Sequence, residues 1–322
     1  MNTENIKLHV SFPPHVFCQK TVSSINYNFL IALIPTIVAG IYYFGIGALQ
    51  NMVVSLITAL LCEAGIQKFL KRDIMISDGH ALLIGLLVSF LCPPNLPWWM
   101  MMIGSACAVV AGKMVFGELG NNPFCPPLIG WVMLRLSWPD SITYWIEPRG
   151  GMIPDHPLWV FKFDGIEAFL DYNYHIMDLL VGRQAGGIGT TCAIALIAGG
   201  IYLLIRRIIP WQIPTGYFGS MFLFSLLLWF INRDQNLNPI FHLITGSTIL
   251  VGFFIATDPV TSPVTRWGKL IFGIICGSLI ILIRKWGMYP DGAVFAVLLG
   301  NSISPLLSKI RPRAYGKEKQ FA

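Results

Sequence analysis

Charge is the scarcest commodity in this 322-residue chain: 12% of it is Asp, Glu, Lys or Arg, where a soluble domain carries roughly 25%. So few charged side chains cannot cover a water-exposed surface, which excludes an ordinary soluble fold. Also missing are a Walker loop, a GxGxxG turn after a strand and an HExxH helix, so nucleotide binding of the soluble type falls to a partner chain. No metal-ligand constellation and no catalytic nucleophile–base set stands out. Seven cysteines are present without a CxxC pair. An odd number scattered through apolar runs excludes a disulfide framework and an internal iron–sulfur site, and reads as small buried hydrophobes. The net charge of +6 is spread over short loops with no basic stripe, so nucleic acid is not expected as a partner. Residues 1–28 contain Lys7, His9, His15 and Lys20 but no apolar core before a cleavage site. No secretory signal is therefore expected, and the N-terminus is expected to stay cytoplasmic.

What the chain has instead is apolar length. Hydrophobic residues make up 55% of it, and the mean hydropathy is +0.65. Ten apolar stretches are candidates for membrane helices: 28–47, 51–67, 79–93, 97–113, 126–138, 187–205, 214–231, 240–257, 269–284 and 291–308. Membrane helices need about 17–25 apolar residues. Three of the stretches, 79–93, 126–138 and 269–284, fall short of that, as expected of interrupted helices that line a site. With the N-terminus inside, Arg135, Arg149, Lys162, Arg183, Arg233, Arg284 and Lys285 fall outside, and the other 15 of the 22 Lys and Arg fall inside. That asymmetry predicts a multi-pass protein with both termini cytoplasmic. The implied plan is a cytoplasmic segment 1–27, a single membrane domain 28–308 and a basic tail 309–322. Within the membrane domain, an acidic outside loop at 139–186 separates halves at about 28–138 and 187–308.

The halves resemble each other. "DGHALLIGLLVSFLCPP" from Asp78 compares with "TGSTILVGFFIATDP" from Thr245: Gly79 matches Gly246, Gly85 matches Gly252, and both stretches end at proline. "GELGNNPF" at 117–124 holds the same place as "MYPDGAVF" at 288–295. A repeat of about 165–172 residues with five spans per unit inserts its second copy upside down, giving an inverted repeat.

Polar groups inside the apolar runs are the site candidates. Glu63, in "LLCEAGIQ", is an acid at membrane depth, where charge is costly and tends to face a pathway. Asp78 and Asp258 stand at the broken ends of the repeat-related helices; each is either a plain helix or turn cap or part of a site. His80 and His242 are either satisfied core histidines or proton carriers. Asn121 and Asn122 precede a short helix and cap it or present amides to a ligand. Trp98, Trp99, Trp131, Trp138 and Trp145 read as an interfacial aromatic belt.

Five stretches, taken in order, resemble one family. They are "SDGHALLIGLLVSFLCPPNLPWW", "FGELGNNPFCPPLIGWVML", "IGTTCAIALIAGGIYLLIRRIIPWQIP", "FHLITGSTILVGFFIATDPVTSPVT" and "GMYPDGAVFAVLLGNSISPLL". The chain resembles the family of the Rnf complex D subunit and the B subunit of the sodium-translocating NADH:quinone oxidoreductase, over most of residues 25–310 and closer to the Rnf branch. The resemblance implies an all-α integral membrane fold similar to urea transporters, with ten helices in two inverted five-helix repeats. It implies a subunit, inactive alone, of a redox-driven translocase in the bacterial inner (plasma) membrane. Such a complex passes electrons between ferredoxin and NAD while moving Na⁺ or H⁺. The expected partners are a flavin-bearing subunit, ferredoxin- and NADH-binding subunits, and membrane lipid.

The resemblance further implies flavin. Family members esterify FMN to a threonine of an S/T-G-A-T motif in the outside loop, shortly after Asp-Gly. Here Asp164-Gly165 are followed by Ile166, Glu167, Ala168 and Phe169, none with a hydroxyl, so covalent FMN is expected to be absent. An FMN or riboflavin, if held, is then held non-covalently. The expected flavin-site residues are Asn121, Asn122, Asp78 and Asp258, with Glu63 and His80 on the ion pathway. Two alternatives stay open on the same fold: a solute channel and a flavin or vitamin transporter.

Overall fold

The computed structural model describes residues 21–72, 76–117, 120–146, 148, 156–172 and 174–310. The segment 1–20, part of the loop 139–186 and the tail from 311 onward lie outside the described residues. Among those described, every regular element is helical. Ten principal segments follow the apolar stretches: α1 (Val22–Phe44), α2 (Ile46–Phe69), α3 (His80–Leu91), α4 (Trp98–Val110), α5 (Pro126–Ser137), α6 (Ala193–Ile205), α7 (Gln212–Ile231), α8 (Thr248–Leu250, continued by a wider turn over Val251–Ile255), α9 (Arg266–Trp286) and α10 (Ala293–Ser308). Five helices are long and apolar enough to cross a membrane: α1, α2, α4 with the turn that extends it to Phe116, α7 and α9. The protein is an integral membrane protein built from helices.

Local chemistry sets the helix ends. The Thr21 hydroxyl accepts the Ser24 N–H at 3.2 Å to start α1, and the Thr265 hydroxyl accepts the Gly268 N–H at 3.1 Å to start α9. Pro126 and Pro127 open α5, where a missing N–H costs nothing. One expectation is corrected here. The stretch 269–284 belongs to a 21-residue helix, because Arg266, Lys269, Arg284 and Lys285 are helical and carry the element past its apolar core.

The interruptions matter most. α3 ends at Cys92 before Pro93-Pro94 and leaves carbonyls that need donors within an apolar setting. They find them in the chain entering α6 and in α5. Ile188 N–H bonds to Cys92 O at 3.0 Å, Gly189 N–H to Phe90 O at 3.1 Å, and Trp131 Nε1 to Leu91 O at 3.0 Å. A Cβ on Gly189 would strike the Phe90 ring, so this close backbone approach requires glycine. Stretch 240–257 is also broken. A short helix Pro239–Ile244 stops at Thr245, Gly246 turns the chain, and α8 starts at Thr248. The turns before α3 and α8 share one geometry: Gly79 and Gly246 adopt left-handed φ of 72° and 73°, a conformation that glycine takes at little cost.

Packing follows a parallel pattern in the two parts of the chain. α2 lies against α4 and α4 against α5; likewise α7 lies against α9 and α9 against α10. Glycines set the closeness of the α7–α9 crossing. The segment Pro157–Asp171 forms a small second core in which Leu158, Val160 and Phe169 pack with Leu237 and Phe241.

Candidate functional site

α3 and α8 meet other helices at two cavities, each formed where one interrupted helix starts and the other ends. The larger cavity has an empty volume of about 580 Å³ counted to its open mouth. It lies between the end of α3 (Leu91) and the start of α8 (Ser247). Trp131 and Arg135 come from α5, and Thr143, Trp145, His156 and Trp159 from the following loop. Thr190 precedes α6, and Tyr289, Asp291 and Val294 come from the start of α10. Three tryptophans and a tyrosine give it flat aromatic walls. The Arg135 guanidinium sits 5.4 Å from the Tyr289 ring centroid, and its Nη1 donates to Pro139 O at 2.9 Å.

The polar groups of this cavity are held by specific bonds. Asp291 Oδ2 accepts the Ser247 N–H at 2.6 Å, and Oδ1 accepts from Arg284 Nη2 and the Ala293 N–H, both at 3.3 Å. The Ser247 hydroxyl is buried with no partner in the protein. Nδ1 of the buried His156 accepts the Leu158 N–H at 3.2 Å, so in the neutral ring the proton sits on Nε2. Burial pushes the His156 pKa down to about 4, Asp291 opposes that and Arg284 reinforces it, so the imidazole is neutral near pH 7. The cavity thus combines aromatic faces with one cation, one carboxylate, a free hydroxyl and a neutral imidazole. That set suits a planar heterocycle with polar edges.

The smaller cavity, about 380 Å³ by the same measure, is lined by Asn26, His80, Cys125, Pro126, Phe254 and Asp258, among others. His80 and Asp258, distant in sequence, meet here. Asp258 Oδ2 accepts from the Thr261 hydroxyl at 3.0 Å and so holds the turn after α8. The Asp78 carboxylate caps α3, accepting the His80 N–H at 2.9 Å. Nδ1 of His80 is buried and lacks a protein partner. Asn121 is exposed, and the buried Asn122 donates to Phe124 O at 3.2 Å. Neither asparagine lines either cavity.

Glu63 is buried, and its Oε1 accepts from Lys113 Nζ at 2.6 Å and from Gln67 Nε2 at 3.2 Å. Lys113, counted from the sequence among the inside charges, is itself buried. So is Arg284, counted among the outside ones. Its guanidinium bonds to His242 O at 2.7 Å, Thr245 O at 3.1 Å, the Thr248 hydroxyl at 2.6 Å and Asp291. The buried His242 packs its ring 6.1 Å from that of Phe161. Two expected belt tryptophans, Trp131 and Trp145, face the larger cavity instead. Residues missed by sequence reasoning are Lys113, Arg135, His156, Trp159, Arg284 and Asp291. Lys113 and Arg284 did carry a faint signal: each stands just before one of the two stretches, GELGNNPF and MYPDGAVF, that hold the same place in the sequence comparison.

The six described cysteines are unpaired, and no group of three His, Cys, Asp or Glu among the described residues is placed to hold a metal ion.

Comparison with known proteins assigns the family. A model described as the NQR2, RnfD, RnfE family matches residues 9–316. The D subunit of the ion-translocating oxidoreductase complex of Ectopseudomonas mendocina is 36% identical, with 95% of each chain covered. The D subunit of the proton-translocating ferredoxin:NAD(+) oxidoreductase complex of Clostridium ljungdahlii is 35% identical, with 96% of each chain covered. The D subunit of the ion-translocating oxidoreductase complex of Escherichia coli K12 is 34% identical over 96% of this chain and 99% of its own. Matched over nearly its whole length by such relatives and by the family model, this chain belongs to the NQR2, RnfD, RnfE family.

Proposed function

We propose that this chain is the D-type membrane subunit of a redox-driven, ion-translocating oxidoreductase complex of the Rnf type. In that role it works with ferredoxin- and NADH-binding subunits and a flavin-bearing subunit, in the bacterial inner membrane. The observation that carries this is the match over nearly the whole chain to the D subunits of such complexes, combined with an aromatic-walled cavity between two interrupted helices. A ten-span plan with inverted halves, as in urea transporters, is supported by the paired glycine turns at Gly79 and Gly246 and the parallel packing of α2–α4–α5 and α7–α9–α10. The proposed boundaries remain 28–308 for the membrane domain, with halves at about 28–138 and 187–308. Burial of Lys113 and Arg284 removes one cation from each side of the charge count, so the excess on the inside stands and supports cytoplasmic termini.

The larger cavity is the proposed flavin site. Trp131, Trp145 and Trp159 would flank the ring system, Ser247 and the His156 Nε2–H would meet its polar edge, and Arg135 would face its anionic form. A flavin there would take up and release electrons singly or in pairs. A covalent link does not fit. Gly165–Asp171 is a helix in which Ile166, Glu167, Ala168 and Phe169 follow Asp164-Gly165, and a phosphoester needs a hydroxyl. The smaller cavity, with His80 and Asp258, is proposed to lie on the ion route.

Two measurements test this reading. Affinity-purified from solubilised membranes, the chain is expected to bring several other membrane subunits with it; recovery as a lone chain that mediates passive solute uptake would favour a channel. On a denaturing gel the chain is expected to show no flavin fluorescence under ultraviolet light. A fluorescent band with the added mass of FMN would contradict this, and peptide mapping would then show whether Thr143, Thr190 or Thr191 is the acceptor.

A further inference from the structure

We propose that the Lys113 ammonium is a tethered stand-in for the transported monovalent cation, holding Glu63 until that cation arrives and then moving to Asp78. This rests on the reading of the chain as part of an ion-translocating complex and names the exchange at its entry. Two carboxylates face one ammonium: Lys113 Nζ is 2.6 Å from Glu63 Oε1 and 4.0 Å from Asp78 Oδ2. The Glu63 side chain is 1% exposed and that of Asp78 is 17% exposed, so one acceptor is closed to solvent and the other opens toward it. The second oxygen of Glu63, Oε2, is buried without a partner. An incoming cation therefore finds a lone pair waiting beside an occupied one.

The charges balance at each stage. At rest Glu63 is paired with Lys113 and Asp78 is partly hydrated. After exchange the cation is paired with Glu63, and Lys113 with Asp78. No charge is left bare in the apolar interior, where a stranded ion is costly. Lysine suits the task because its ammonium rides a flexible stem and can rotate its three donors between acceptors. The corresponding cation of the other repeat unit, Arg284, is pinned by two carbonyls, a hydroxyl and Asp291, as a fixed structural charge would be. Other polar groups of this cluster include Gln67, which holds Glu63 Oε1, His80, whose backbone N–H bonds to Asp78, and Asn26, whose Nδ2 donates to Asp78 O at 2.9 Å.

The test uses the whole complex in liposomes, with Asp78→Asn in this chain. Asparagine caps helices as well as aspartate does, and the Glu63–Lys113 pair is untouched. A merely structural Asp78 thus predicts no change. The exchange predicts normal co-purification and at least a tenfold fall in cations moved per electron. Two probes, ²²Na⁺ uptake and a pH-sensitive dye inside the vesicles, show whether the cation is Na⁺ or H⁺. The double variant Glu63→Gln with Lys113→Met removes the pair without stranding a charge and is expected to abolish flux in the same way. Unaltered flux per electron in Asp78→Asn overturns the proposal, whatever the double variant does. Absence of redox-driven flux in the unaltered complex overturns the functional reading itself.

Discussion

Replacing Arg284 with methionine is expected to remove most of the properly folded chain from the membrane. The guanidinium is buried at the end of α9 and closes the gap where stretch 240–257 is interrupted. Without it, the carbonyls of His242 and Thr245 keep only the Thr248 hydroxyl as a side-chain donor, that hydroxyl loses the guanidinium, and Asp291 keeps its charge with one fewer partner. Breaking one side of a fully buried ion pair costs roughly 3–5 kcal/mol; the Asp291 side chain is 25% exposed, which places this loss toward the low end of that range, still a large share of the roughly 5–15 kcal/mol that separates native from unfolded states in typical domains. Arg284→Lys is expected to recover only part, because one ammonium cannot reproduce the fork that reaches four acceptors. Arg284→Met combined with Asp291→Asn is expected to recover more than either route predicts alone, since no bare charge is left. Chain abundance in membranes and monodispersity in detergent check this. Wild-type abundance and thermal stability for Arg284→Met would show that the cluster is dispensable.

The second large effect is expected at Gly277. Along the α7–α9 crossing, a Cβ on Gly216 would lie 2.6 Å from Leu270 O, and one on Gly273 would lie 2.5 Å from Ile213 O. A Cβ on Gly277 would collide with the Tyr217 carbonyl and the Ser220 hydroxyl. These obstacles are mostly backbone, which cannot step aside as a side-chain tip can, and overpacking of this kind costs about 1–3 kcal/mol or more. Gly277→Leu is expected to separate the two helices and lower the detergent melting temperature sharply. Gly219, one turn along α7 from Gly216, meets nothing within 4 Å. Gly219→Ala is therefore the control and is expected to be neutral or slightly stabilising through helix propensity. Equal effects at the two positions would deny the close crossing.

Much of this architecture is legible in the sequence. The apolar runs mark every principal helix, and Pro93-Pro94 and Asp258-Pro259 mark where α3 and α8 give out. Gly79 and Gly246 could be paired from sequence because both sit just before an apolar run, and their shared left-handed turn follows from the need to start a helix abruptly. The cap role of Asp78 was one of two readings, and its bond to the His80 N–H realises it.

What was illegible depends on direction and distance. A cation at the end of an apolar run can reach outward to water or inward to a partner, and local sequence does not distinguish the two. Lys113 turns inward because Glu63, fifty positions earlier, lies across the α2–α4 contact. The larger cavity is assembled from residues between Leu91 and Val294, so no contiguous motif announces it. Trp131 and Trp145 looked like belt residues because the sequence gives their depth but not which side of the helix or loop they occupy. Asn121 and Asn122 were singled out by position before a short helix, and there Asn122 bonds to the nearby Phe124 carbonyl.

The most direct test of the central claim is reconstitution of the purified complex containing this chain into sealed liposomes, supplied with reduced ferredoxin and NAD⁺ on the side bearing the soluble subunits. The account predicts that NAD⁺ reduction builds a gradient of Na⁺ or H⁺, that a matching ionophore collapses it, and that complexes lacking this chain build none. Ion movement that proceeds without electron donor, or a gradient of undiminished size in complexes lacking the chain, would contradict it.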